Sequence, residues 1–210
     1  MEGYTIKSSP NMMTEITIPE TVTKIGSCAF SGCAGLKKLI IPDSVKEIGP
    51  WAFFGCENLV EIKLPKGISK IGRYAFQGCS SLASIEIPDS LDELDEGVFS
   101  GCSTLSKVKI SFNTNKIGER AFYDCTGLTS IDIPDNVKNI GAGAFSGCSG
   151  LTEINIPDSL KDMGMSAFCG TKLKLKISAA RKLYAMNARR SSGTIHKRLS
   201  SVAGLFRGGA

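Results

Sequence analysis

The sequence predicts an α/β repeat: a solenoid of seven stacked 23-residue coils with a parallel β-sheet and short 3₁₀ or α turns. Three observations predict it. Phe30, Phe53, Phe76, Phe99, Phe122, Phe145 and Phe168 stand at a constant interval of 23 residues. Cys33, Cys56, Cys79, Cys102, Cys125 and Cys148 keep the same interval, three residues after each phenylalanine. Between these marks the unit Leu36-x-x-Leu39-x-Ile41-Pro42-x-x-Val45-x-x-Ile48-Gly49-x-x-Ala52-Phe53-x-Gly55-Cys56 recurs along the chain.

Alternation at Leu39 and Ile41 predicts a short strand with one face inward, and Pro42 ends it because proline cannot donate to a ladder. Gly49 is read as a residue free to take positive φ. Ala52-Phe53 is too short for a stable helix and predicts a 3₁₀ or single α-turn. One coil cannot enclose its own apolar face, so it must stack on its neighbours in a one-dimensional array. Equivalent residues then form columns, phenylalanine on phenylalanine and cysteine on cysteine, across strands about 4.8 Å apart.

The chain divides into a lead or minimal cap (1–12), the solenoid with its closing strand (13–177) and a basic tail (178–210). Coil four carries Asp95 in the glycine position and Val98 in the alanine position, and coil five has Ser111 for proline and Thr114 for valine. Asp tolerates the left-handed region better than most residues, so no break is expected at Asp95. Asp89, Asp92, Glu93, Asp95 and Glu96 face Lys107, Lys109 and Lys116 on the following coil. This charge run reads first as a solvated rim of ion pairs between coils and second as a partner-binding patch. At the end of the array Thr171 replaces the column cysteine. Leu173, Leu175 and Ile177 then alternate with Lys172, Lys174 and Lys176, a closing strand whose charged side protects an open edge.

The run Leu-x-x-Ile-x-Ile-Pro-x-x-Val-x-x-Ile-Gly-x-x-Ala-Phe-x-Gly-Cys, almost unbroken at Leu128 to Cys148, resembles the BspA-type (Treponema pallidum-type) leucine-rich repeat. The resemblance covers about Met13 to Ile177. It implies a leucine-rich-repeat solenoid of horseshoe form with its contact surface on the concave strand side. The family holds bacterial and protozoan surface proteins that bind host proteins, and many intracellular proteins. It brings no catalytic residues.

Composition points the same way. Hydrophobic residues make up 42% of the chain, enough for an ordinary core, and the net charge of +5 hides a split. Residues 1–170 carry 15 Lys and Arg against 20 Asp and Glu, whereas 171–210 carry 10 Lys and Arg and no acid. No basic-then-apolar leader stands at the start, so a chain complete at Met1 is expected in the cytoplasm; a fragment of an exported protein would instead be a cell-surface adhesin.

Eight cysteines without an export signal are expected as free thiols. Zinc sites draw four ligands together, often including a Cys-x-x-Cys pair, whereas an in-register column sets sulfurs in a row. Cys28 and Cys169 fall outside the column and are expected nearer the surface. The single histidine, His196, has no acid beside it, and the repeated glycines belong to turns rather than phosphate loops. No enzyme activity, metal or cofactor is expected.

The expected function is non-catalytic binding of a partner protein through the outward strand residues. These are Glu15 and Thr17, Lys38 and Ile40, Glu61 and Lys63, Ser84 and Glu86, Lys107 and Lys109, Ser130 and Asp132, and Glu153 and Asn155. Their mixed signs and lack of aromatics do not suit nucleic acid. A monomer is expected. In the tail, Ile195, Leu199, Val202 and Phe206 recur at about a helical turn beside Lys197 and Arg198. An amphipathic basic helix there would meet an anionic membrane, an acidic protein or nucleic acid, and the plainer reading is a flexible solubilising end or a helix folded back on the acidic solenoid. Ser192 and Ser200 follow basic pairs and are candidate phosphorylation sites.

Overall fold

The structure, a computed structural model, describes residues 14–173. It is a parallel-strand β-solenoid. Each turn of the chain contributes two short strands. The first row consists of β1 (Glu15–Thr17), β3 (Lys38–Ile40), β5 (Glu61–Ile62), β7 (Ser84–Glu86), β9 (Lys107–Lys109), β11 (Ser130–Asp132) and β13 (Glu153–Asn155). The second consists of β2 (Lys24–Ile25), β4 (Glu47–Ile48), β6 (Lys70–Ile71), β8 (Glu93–Leu94), β10 (Lys116–Ile117), β12 (Asn139–Ile140) and β14 (Asp162–Met163). Every paired residue meets the residue 23 positions on, as in Ile16 with Leu39 and Ile48 with Ile71. The coils are numbered one to seven by the phenylalanine each carries, from Phe30 to Phe168.

The phenylalanines form one internal column. Successive rings lie 5.2–5.6 Å apart and within 19° of parallel, and the five from Phe53 to Phe145 are fully buried. Leucine, isoleucine and cysteine columns complete the core. Burial of each large apolar side chain contributes roughly 1.5–3 kcal/mol. The prolines that follow first-row strands, Pro19, Pro42, Pro65, Pro88, Pro134 and Pro157, each start a tight turn that the chain closes three residues later, as where Val45 N–H donates to the Pro42 carbonyl at 3.1 Å.

The described residues contain no helix; the predicted turn consists of isolated hydrogen bonds spanning three residues. The donors are divided between two directions. Ala52, Phe54 and Cys56 donate back three residues within the coil, while Trp51, Phe53 and Gly55 donate forward to Arg73, Ala75 and Gln77 of the next coil. A helix would need consecutive donors to point along one axis. Here alternate N–H groups are committed to stacking, so the α/β expectation gives way to a β-solenoid with hydrogen-bonded turns.

The role assigned to Gly49 also changes. Its φ is not positive; a Cβ there would lie 2.6 Å from the Ser27 nitrogen of the preceding coil. The glycine column at 49, 72, 118, 141 and 164 exists for close approach of backbones. Positive φ falls two residues later, at Cys28, Trp51, Tyr74, Gly97, Arg120, Gly143 and Ser166. Asp95 is therefore not a left-handed residue; the array continues past it through the phenylalanine column, but the strand pairing does not. Neither β5 and β7 nor β6 and β8 pair, so both strand rows are interrupted between coils three and four. The first row is interrupted again between β9 and β11.

Candidate functional site

All fourteen outward residues named above are exposed, because the strands alternate and their inward partners, such as Leu39, Ile62 and Ile85, belong to the core. Many of their charges meet across coils. Lys38 Nζ lies 2.9 Å from Glu15, and Lys109 hydrogen-bonds Glu86. The hydrogen bond and charge of Glu15 raise the Lys38 pKa, and those of Glu86 raise that of Lys109. Glu61, Lys107, Asp132 and Glu153 share the face, so it presents both signs along its length. Apolar surface accompanies it: Ile40 on the face and Val60 and Phe112 beside it are 43%, 51% and 62% exposed. Phe112 occupies the turn of coil five, where Asp or Lys stands in coils two, three, four, six and seven.

The charge run of coils four and five forms ion pairs and hydrogen bonds between neighbouring coils. Lys116 bonds Glu93 at 2.9 Å, and the Ser111 hydroxyl donates to Asp89 at 2.7 Å. Thr114, fully buried in place of valine, donates to the Leu91 carbonyl at 3.4 Å. The second strand row was missed by sequence reading. It sets Lys24, Glu47, Lys70, Glu93 and Lys116 in an alternating line, and the Lys24 ammonium, 2.5 Å from Glu47, holds that carboxyl below its ordinary range. Beside this row, from Asp95 to Met165, runs a groove of about 510 Å³ floored by Gly118, Gly141 and Gly164.

The cysteine column is structural. Each thiol from Cys56 to Cys148 donates to the carbonyl of the phenylalanine 26 residues earlier, at 3.0–3.3 Å. Burial pushes the Cys56 and Cys102 thiols up to about 12 and those of Cys79 and Cys125 well above their ordinary value. Protonated thiols in such sites are poor nucleophiles and poor ligands. Cys28 and Cys169 are exposed, as expected. Among the described residues, no group of three His, Cys, Asp or Glu is placed to hold a metal, and no helix is long and apolar enough to cross a membrane.

An aromatic cluster on the turn side also escaped sequence reading. Trp51 and Tyr74 stack at 5.7 Å and 14°, and the Arg73 guanidinium sits 4.8 Å over the Trp51 ring. The Tyr74 hydroxyl donates to the Glu96 carboxylate, and its ring overlies Gly97, where a Cβ would lie 2.2 Å from Cδ1. The 23-residue spacing of Cys28, Trp51, Tyr74 and Gly97 was the available signal. The basic tail, 178–210, with Ser192 and Ser200, lies outside the described residues, as do residues 174–177 of the expected closing strand.

The BspA type leucine rich repeat region matches residues 5–128 and 115–187, in six copies. The chain is similar to the leucine-rich repeat protein of T. pallidum at 35% identity and a TM-score of 0.76, covering 82% of this chain and 83% of that one. It is similar to a leucine-rich repeat protein from Eubacterium ventriosum at 32% identity and a TM-score of 0.73, covering 83% of this chain and 46% of the other, so it spans about half of that relative. No curated protein matches the sequence.

Proposed function

Since this chain belongs to the BspA-type leucine-rich repeat family, we propose that it is a non-catalytic interaction module that holds a partner protein on the first strand row. The supporting observation is the set of fourteen outward residues. All are exposed, and they carry mixed charge on strands whose inward faces are packed. Such a surface is ordered by folding, so little further entropy is lost on binding. Exposed Ile40 on the face and Phe112 beside it add apolar contact to the charged residues, and aromatic and apolar side chains are favoured contacts in protein interfaces.

The test is affinity capture from the native cell with the intact chain and with charge reversal at Lys107 and Lys109 together, or at Glu61. A defined protein retained by the first and lost from the variants supports the reading. Capture that ignores the strand face, or returns no protein, rejects it. For compartment we propose the cytoplasm with the cell surface as the alternative, since buried thiols shielded from oxidant fit either. Protease added to intact cells should leave a cytoplasmic chain whole and would cleave a surface one.

A further inference from the structure

The junction between coils three and four differs from the other five. At each of those five, the second strand row carries backbone hydrogen bonds across the coils, including one from the glycine of the close-approach column. Gly49, Gly72, Gly118, Gly141 and Gly164 donate to the residue 24 positions earlier at 2.7–2.8 Å. Asp95 makes no such bond. The bond that Asn115 makes to Asp92 has no counterpart from Asp92 to Ser69, and β6 does not pair with β8. The first row is also unpaired there, between β5 and β7, apart from a single Ala83 to Val60 bond at 3.2 Å.

The cause is steric. A Cβ on the neighbouring column glycines would stand 2.1–2.6 Å from the backbone of the preceding coil. Asp95 carries a real one, so the second strand row of coil four cannot approach coil three as closely as at the other junctions, although Ser90 still donates to the Ile68 carbonyl and Ala83 to that of Val60. The Asp95 carboxylate accepts the Glu96 N–H at 2.8 Å. The turn side remains joined: Tyr74, Phe76 and Gly78 donate to Glu96, Val98 and Ser100 at 2.8–2.9 Å, and Phe76 stacks on Phe99 at 5.6 Å.

We infer that Asp95 makes this junction a hinge, dividing the array into two units, coils one to three and coils four to seven, joined along the turn side. In a one-dimensional array, stability is a sum of coil terms and interface terms, so a weakened interface lets the units open and unfold separately. Bending there changes the angle between the two halves of the strand row. The division stands whether or not that row binds a partner.

Trp51, the only tryptophan of the chain, reports coil two and therefore the first unit alone. The experiment is equilibrium urea unfolding of the full chain, followed by Trp51 fluorescence and by far-ultraviolet circular dichroism, with Asp95→Gly in parallel. The expected result is two distinct midpoints in the native chain, converging in the variant as the missing bonds form. Coincident midpoints in the native chain would show a single cooperative unit and overturn the inference. Distinct midpoints unchanged by Asp95→Gly would overturn the role of Asp95. If that variant fails to fold, the native chain alone decides the division. Asp95→Ala, which keeps a Cβ without the carboxylate, then decides the cause. It should retain the split, and merging would show that the carboxylate and not the Cβ holds the seam open.

Discussion

The turn side and the strand side of this molecule are built from the same 23-residue period, yet only one of them is continuous. Along the turn side, three backbone bonds cross every junction from coil one to coil seven, and the phenylalanine column has no gap. The strand side is divided into five separate sheets. The difference teaches that continuity follows the columns that hold one residue type. Phenylalanine, cysteine and the glycine beside the cysteine barely vary from coil to coil, whereas the strand-side columns admit Asp95, Ser111 and Thr114.

The comparison can be broken most severely at the turn side. Phe76→Ala removes a fully buried ring between two others and should cost about 3–5 kcal/mol, read by chemical denaturation. A cost near zero would mean the column does not carry the array. Next comes Gly141→Ala, whose Cβ would meet Glu119 N at 2.4 Å. It should cost about 1–3 kcal/mol and lose amide protection at Gly141 and Lys138, copying the Asp95 seam at the next junction but one.

A gentler probe uses pH. Burial raises the Cys102 pKa to about 12 from an ordinary 9.0. The folded chain thus holds that proton more tightly than the unfolded chain does. The stabilisation is fully present below about pH 9 and is lost as pH rises toward 12. Denaturation midpoints measured across this range should be flat at neutral pH and fall above it, less steeply in Cys102→Ala. The smallest effect belongs to the strand face. Lys38→Gln removes an exposed ion pair with Glu15 and should leave the melting temperature unchanged. A clear drop would make the strand side a structural element rather than a free surface.

Much of this was legible in the sequence because a column of identical residues is a periodic signal. Phe30 to Phe168, the thiol column and the outward strand positions were all readable. The second strand row was not, since two residues such as Glu47-Ile48 leave no alternation to detect. Gly49 was misread because glycine serves two purposes, dihedral freedom and close approach, and one sequence does not separate them. The seam at Asp95 was hidden for the same reason, because a residue suited to positive φ stands where absence of a Cβ is the requirement. Trp51 and Tyr74 were missed because bulky residues are seldom found at φ values of 53° and 58°.

Residue-resolved amide exchange on the full chain tests the account most directly. The Phe76 and Gly78 amides, which cross from coil three to coil four, should be as protected as Phe53 and Gly55 one coil earlier. Asp92 and Asp95 should exchange at least about tenfold faster than Asn115 and Gly118 in the next coil, a gap of roughly 1.4 kcal/mol. Equal protection at those four strand-side amides, or rapid exchange at Phe76, would contradict it.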